Sequence, residues 1–184
     1  MVRTAPNPRG QLQMTDWNAI VRENTPLVWG TAWRLLANQA DAADCFQETF
    51  LAALEVSRRQ AVRSWSALLV KIATARAVDR LRRRLRRRET NGEASGWDAI
   101  RSPGAGPVEA AQDRELGAWL RRVLAELPQP EGVLFSLRVL NEWSYEQIAR
   151  EMGMTASAVG VAIHRTRVRL KERLASLITR PGEV

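Results

Sequence analysis

From Asp16 to Arg88 apolar side chains recur at three- and four-residue spacing, and only Pro26 and Gly30 interrupt the run with residues that disfavour helix interiors. The chain shows no strand-like alternation of useful length, no internal repeat and no heptads sustained enough for a coiled coil. Such a chain must bury its apolar stripes helix against helix. Three helices are the economical parse of this stretch. The first runs from about Trp17 to Ala37, with Ile20, Leu27, Val28, Ala32 and Leu35 near its buried face and Pro26 as a kink or break. The second, about Ala40 to Val56, puts Ala43, Phe46, Phe50 and Leu54 on one stripe and Asp41, Asp44, Gln47 and Glu48 on the other. The third begins near Ser64 and buries Trp65, Leu68, Leu69, Ile72 and Ala75 or Ala77 before it turns strongly basic. A short basic loop, SRRQAVRS from Ser57, separates the last two.

Residues 89–112 shift to Gly, Ala, Ser and Pro, with Glu89, Glu93, Asp98 and Glu109 set against Arg101, and read as an acidic flexible linker. After it come a helix from about Val108 to Leu127, a stop at Leu127-Pro128-Gln129-Pro130, and a helix from about Glu131 to Leu140. Residues 1–15 hold two prolines and no apolar run, so they read as a tail, neither a signal peptide nor a membrane span. The expected fold is all-α: two small helical domains, 16–88 and 113–180, joined by a flexible linker over 89–112, the second containing a helix-turn-helix.

The helix-turn-helix lies in Ser144 to Leu174. Tyr145, Ile148, Ala149 and Met152 make one face of a short helix, Gly153 supplies a left-handed terminator, and Thr155 is a good N-cap for the next helix. That helix has its own stripe of Val159, Ile163, Thr166, Leu170 and Leu174. Its opposite face carries Ser157, Gly160, Val161, His164 and Arg165, small or hydrogen-bonding residues suited to a DNA groove. A helical hairpin that packs and binds nothing is the plainer alternative.

With 28 Lys plus Arg against 20 Asp plus Glu, the chain carries a formal charge of +8, which favours a polyanionic partner. Arg76, Arg80, Arg82, Arg83, Arg84, Arg86, Arg87 and Arg88 crowd one helix end, and a polyanion would relieve their mutual repulsion. Trp17, Trp29, Trp33 and Trp65 could stack on unpaired bases, but their helical spacing fits core packing better. No catalytic or metal site is expected. His164 has no cysteine or carboxylate at ligand or triad spacing, no Gly-rich phosphate loop appears, and the lone Cys45 forms neither an internal disulfide nor a zinc cluster. No cofactor is implied.

Two separated motifs then agree with one family. ADAADCFQETFLAAL from Ala40 and SWSALLVKIATARAVDRLRRR from Ser64 resemble the polymerase-binding and promoter-melting helices of bacterial sigma-70 factors of the extracytoplasmic-function subgroup. The stretch from Leu127 to Leu174 is similar to that family's other conserved domain. The resemblance implies that Asp44, Gln47 and Glu48 face core RNA polymerase. It also implies that the loop and the basic helix, through Arg63, Lys71, Arg76, Arg80, Arg83, Arg84 and Arg87, meet the minus-ten element of promoter DNA, where one strand is captured with a base flipped out. Ser157, Gly160, Val161, His164 and Arg165 would then read the minus-thirty-five element as duplex. Three departures from the family pattern stand out: Ala75 where Asn is frequent, Gly160-Val161-Ala162 where a basic residue, Ser and Arg are common, and Gly132-Val133 in place of Arg-Glu.

The expectation is therefore a cytoplasmic transcription initiation factor, not a catalyst, without membrane insertion, whose partners are core RNA polymerase, promoter DNA and, as a candidate, an anti-sigma factor. The alternatives are a helix-turn-helix regulator that binds an operator as a dimer, and a basic adaptor for RNA or membrane. An acidic helix followed by an arginine helix, with no spare apolar dimerisation surface, argues against the regulator.

Overall fold

The computed structural model describes residues 16–91 and 107–178, so the tail expected over 1–15 and the middle of the linker, Glu93, Asp98 and Arg101 included, lie outside the described residues. The described secondary structure is helical: α1 (Trp17–Leu36), α2 (Gln39–Arg59), α3 (Trp65–Asn91), α4 (Pro107–Glu126), α5 (Gln129–Val139), α6 (Tyr145–Met152) and α7 (Ala156–Ile178). Both flanks expected as linker are partly helical, since α3 continues through Asn91 and α4 opens at Pro107, a residue pre-set for the first helical turn.

Local capping sets the boundaries in the first module. The Asp16 carboxylate accepts from the Ala19 amide at 3.0 Å and the Asn38 side chain from the Asp41 amide at 2.9 Å. Between them Ala37 takes a left-handed φ of 50°, and its amide closes α1 on the Trp33 carbonyl. Pro26 neither ends nor splits α1, which runs through it. The helix also outlasts its expected end at Val56. Ser57, Arg58 and Arg59 belong to α2, leaving only 60–64 as the loop, because the Gln60 amide still bonds to the Val56 carbonyl.

The expected stripe of α2 is one residue out of register. Its buried line is Ala42, Cys45, Thr49 and Ala53, while Ala43, Phe46, Phe50 and Leu54 are half-buried beside it. Small side chains occupy the line where α2 meets its neighbours most closely, and the larger aromatic ones pack around its rim. Phe46 meets Phe50 at 5.0 Å and Trp29 at 6.2 Å, Trp29 stacks on Trp33, and Trp17 sits edge-on to Trp65. Leu27, expected inside, is 38% exposed on the outer side of α1.

The third helix is buried on more than one side. Leu68, Leu69 and Ala73 pack with Ile20, Val28 and Ala53 of the first module. Val70 and Val78 instead join Val133, Leu134, Leu137, Ile148 and Ile163 of the second module. Ala77 and Leu81, with Ala32, Leu35 and Leu36, join Leu124, Leu127, Phe135 and Leu170. The two modules thus share a core across α3. The periodicity of α3 alone did not distinguish Val70 and Val78 as a second buried stripe. Leu69 is fully buried within the first module, so Leu69→Ala should cost about 2–5 kcal/mol of unfolding free energy in a urea titration followed by circular dichroism.

Candidate nucleic-acid interface

The acidic residues of α2 and the arginines of α3 lie on adjacent helices and meet. Glu48 accepts from Arg76 at 2.9 Å and from Arg80 at 2.6 Å, and Arg80 also lies 3.7 Å from Asp41 and 3.6 Å from Asp44. The Arg80 side chain is only 18% exposed within this carboxylate group. Asp44 stands at the exposed edge of this group, and Gln47 is exposed beside it. Two residue sets that the sequence kept apart, one for a protein and one for DNA, therefore share a boundary.

Beyond Arg80 the helix end is more open. Arg83 pairs with Asp79 one turn earlier, Arg84 is half-buried and Arg87 exposed. These three, with Arg80, Asn38 and Asp41, line one basic recess. Arg63 is exposed in the 60–64 loop. Lys71 points elsewhere: its ammonium donates to the Glu151 backbone carbonyl at 3.0 Å, in the second module. Arg121 of α4 is buried, and burial together with the charge of Arg84 lowers its pKa. Its position behind the arginines had no local sequence signal.

The helix-turn-helix is fixed by its own residues. The Ser144 hydroxyl accepts from the Gln147 amide at 3.1 Å while the Gln147 side chain accepts from the Ser144 amide at 2.8 Å, a reciprocal cap on α6. Gly153 ends α6 at φ 66°, and the Met154 amide returns to the Ala149 carbonyl at 2.9 Å. Thr155 caps α7 through the Ala158 amide at 3.1 Å. At the start of α6, the Glu146 carboxyl is held below its usual range by its own backbone amide and by the Ser144 hydroxyl.

Val159, Ile163, Thr166 and Leu170 form the buried stripe of α7, and the Thr166 hydroxyl is satisfied by the Ala162 carbonyl; the Leu174 side chain lies outside the described residues. Ser157, Val161, His164 and Arg165 are exposed together on the opposite side. Gly160 is half-buried, and a Cβ there would lie 3.5 Å from the Tyr145 ring, so it faces α6 more than solvent. The Tyr145 ring also sits under the Arg138 guanidinium, 5.5 Å from its centre.

Sequence reasoning missed Asn141, just beyond α5. Its side-chain oxygen accepts from Arg34 at 3.3 Å and lies 3.2 Å from the Thr31 hydroxyl, whose one proton is shared with the nearer Leu27 carbonyl at 2.9 Å, and its amide reaches Thr74 at 3.5 Å and the Ser136 carbonyl at 3.4 Å. Partners so distant along the chain leave no motif.

Cys45 is fully buried, with its thiol against the Ala73 carbonyl at 3.6 Å, and burial pushes its pKa from 9.0 to about 11. The native state therefore keeps a proton that the unfolded chain releases above its ordinary pKa. Stability should fall as pH rises from about 9 to about 11. At pH 8 the folded protein should resist iodoacetamide and react only after urea unfolding, read by intact-mass spectrometry.

Comparison with known proteins places both modules. The family model described as Sigma-70 region 2 matches residues 20–87, and that described as Sigma-70, region 4 matches residues 117–170. The ECF RNA polymerase sigma factor SigE of Mycolicibacterium smegmatis is 31% identical over 165 residues, covering 90% of this chain. The chain spans 64% of that relative's length. The ECF RNA polymerase sigma factor SigW of Bacillus subtilis is 26% identical over 157 residues, 82% of this chain and 84% of SigW. In fold the chain is similar to the sigma factor RpoE, solved in complex with the anti-sigma factor NepR from Bartonella quintana, at a TM-score of 0.55 and 20% identity over 87% of this chain and 97% of that one. With region 2 before region 4, as the paired motifs implied, and with two such relatives along most of its length, this chain belongs to the sigma-70 family, in its extracytoplasmic-function group.

Proposed function

We propose that this chain is a cytoplasmic transcription initiation factor that binds core RNA polymerase and directs it to promoters, supplying recognition and strand capture but no catalysis. The observation that carries the reading is the pairing, in one chain, of an acidic α2 and arginine-rich α3 with a capped helix-turn-helix that exposes Ser157, Val161, His164 and Arg165. An operator-binding regulator would have no use for the first of these modules. No described helix is long and apolar enough to cross a membrane.

In this reading residues 16–88 form the part that docks on polymerase and holds the minus-ten element, and 113–180 the part that reads the minus-thirty-five element. The exposed Asp44 and Gln47, with the flank of Glu48, offer carboxylate and amide acceptors to a basic partner surface. Arg83, Arg84 and Arg87 lie where DNA phosphates could run along α3, with Arg63 in the adjoining loop. Arg76 and Arg80 act first within the protein, holding α2 against α3 through Glu48. On α7, Val161 offers apolar contact to a thymine methyl, and Ser157 and His164 offer hydrogen bonds to base edges. Arg165 suits phosphate. An anti-sigma factor is the candidate regulatory partner.

Added to core polymerase, the chain should produce a specific run-off transcript from a cognate promoter without ATP hydrolysis for melting. Transcript that is unchanged when the chain is omitted would refute the reading. Asp44→Lys should weaken co-purification with core polymerase by roughly tenfold, since like charges across an interface repel. Its thermal unfolding should move little, because the replaced charge is exposed.

A further inference from the structure

We propose that the arginine recess at the outer end of α3 is a binding site for a short oligophosphate, with Arg121 of α4 as its buried anchor and Arg84 and Arg87 as its outer donors. Arg121 is 5% exposed, yet its guanidinium has no hydrogen bond and no carboxylate partner among the described residues. Its Nε–H is enclosed and lacks an acceptor. A buried charge left without a partner is among the costliest arrangements in a fold, and an ion or ligand that completes it is the usual reason for keeping one. Arg84 adds to the cost, since it lies close enough for its charge to oppose that of Arg121. Gly117 is what admits the guanidinium. A Cβ there would lie 3.3 Å from one terminal nitrogen of Arg121 and 3.5 Å from the other, so the bare glycine lets the side chain fold back along α4.

Arg84 joins this anchor to the open recess, which it lines with Arg80, Arg83, Arg87, Asn38 and Asp41. Arg80 is held by Asp41, Asp44 and Glu48, and Arg83 by Asp79. Arg87 is exposed and has no acidic partner among the described residues. Cationic charge is thus left over at Arg87 and Arg121, and both adjoin Arg84, the first three residues along α3 and the second across the contact with α4. The Asp41 carboxylate repels an anion at the α2 end, which sets the ligand toward Arg84 and Arg87. The recess measures about 360 Å³, the share of roughly a dozen waters at about 30 Å³ each. That volume admits two or three linked phosphates, whose oxygens suit guanidinium forks and place several charges in one small space. A DNA backbone can pass across the mouth but cannot bring its phosphates to a side chain as enclosed as Arg121. Arg83, Arg84 and Arg87 are also candidate promoter contacts, so on the initiation-factor reading above an oligophosphate held here competes with DNA. The site itself stands without that reading.

Titration calorimetry of the full chain with sodium tripolyphosphate, in phosphate-free buffer at fixed ionic strength, should show one-to-one binding. ATP should also bind and adenosine should not; ATP binding tighter than tripolyphosphate assigns the site to nucleotides, and weaker binding assigns it to inorganic chains. Arg121→Met should weaken tripolyphosphate binding by about tenfold, the loss of a charge-assisted contact. Without ligand its thermal midpoint should hold or rise, because an apolar chain of similar length replaces an unpartnered buried charge. Arg87→Gln should weaken binding as well, whereas Arg86→Gln, which removes the same charge from an exposed position outside the recess, should change it little. Parent-like binding by Arg121→Met would overturn the site, and so would equal losses in Arg86→Gln and Arg87→Gln, which decide the matter alone if Arg121→Met fails to fold. Tripolyphosphate should displace a fluorescein-labelled single-stranded 20-mer from the parent; binding without displacement would overturn the competition with DNA. Run-off transcription by the parent is measured alongside, and its failure with tripolyphosphate binding intact would refute the initiation-factor reading alone.

Discussion

Burial of α3 on several sides at once is the constraint from which the rest of the structure follows. A helix with one apolar stripe can be the wall of one domain, but α3 presents Leu68, Leu69 and Ala73 to the first module and Val70 and Val78 to the second. Its outer end is then left to the arginines, which have nowhere to go but toward solvent, toward the carboxylates of α2, or toward a polyanion. The Glu48 bonds to Arg76 and Arg80 are the internal answer to that crowding. Their energetic weight is modest because both sides are part-exposed, and their chief effect is positional.

Much of this architecture was legible because it is written locally. The order of the helices, the tail of α1 and the turn between α6 and α7 rest on caps and terminators whose partners lie within four residues, as with Ser144 and Gln147 or Thr155 and Ala158. The stripe of α7 was read correctly from Val159 to Leu170, since a helix packed on one side obeys its own periodicity. What failed was set by neighbours. The α2 line shifted by one residue to Ala42, Cys45, Thr49 and Ala53 because spacing between helices, and not side-chain size, decides which residues sit at the closest approach. Asn141 was invisible for the same reason.

The departures from the family pattern take on different meanings in three dimensions. Gly132 is a packing residue against Val78 and Leu124. Gly160 lies under the Tyr145 ring, so the exposed character of α7 is carried by Ser157, Val161, His164 and Arg165. Ala75 is half-buried in a recess that it shares with Lys71, Arg76, Gln129 and Glu151.

The narrow line along α2 limits which sequences can replace this one. Ala42, Cys45, Thr49 and Ala53 are all fully enclosed, and a longer side chain at any of them must push whole helices apart. Neutral drift there is confined to small residues, whereas the half-buried ring positions Phe46 and Phe50 can exchange among apolar types at less cost. Homologues that keep the helix spacing should therefore vary most in their aromatic residues and least in their smallest ones, the reverse of what hydrophobicity alone would select.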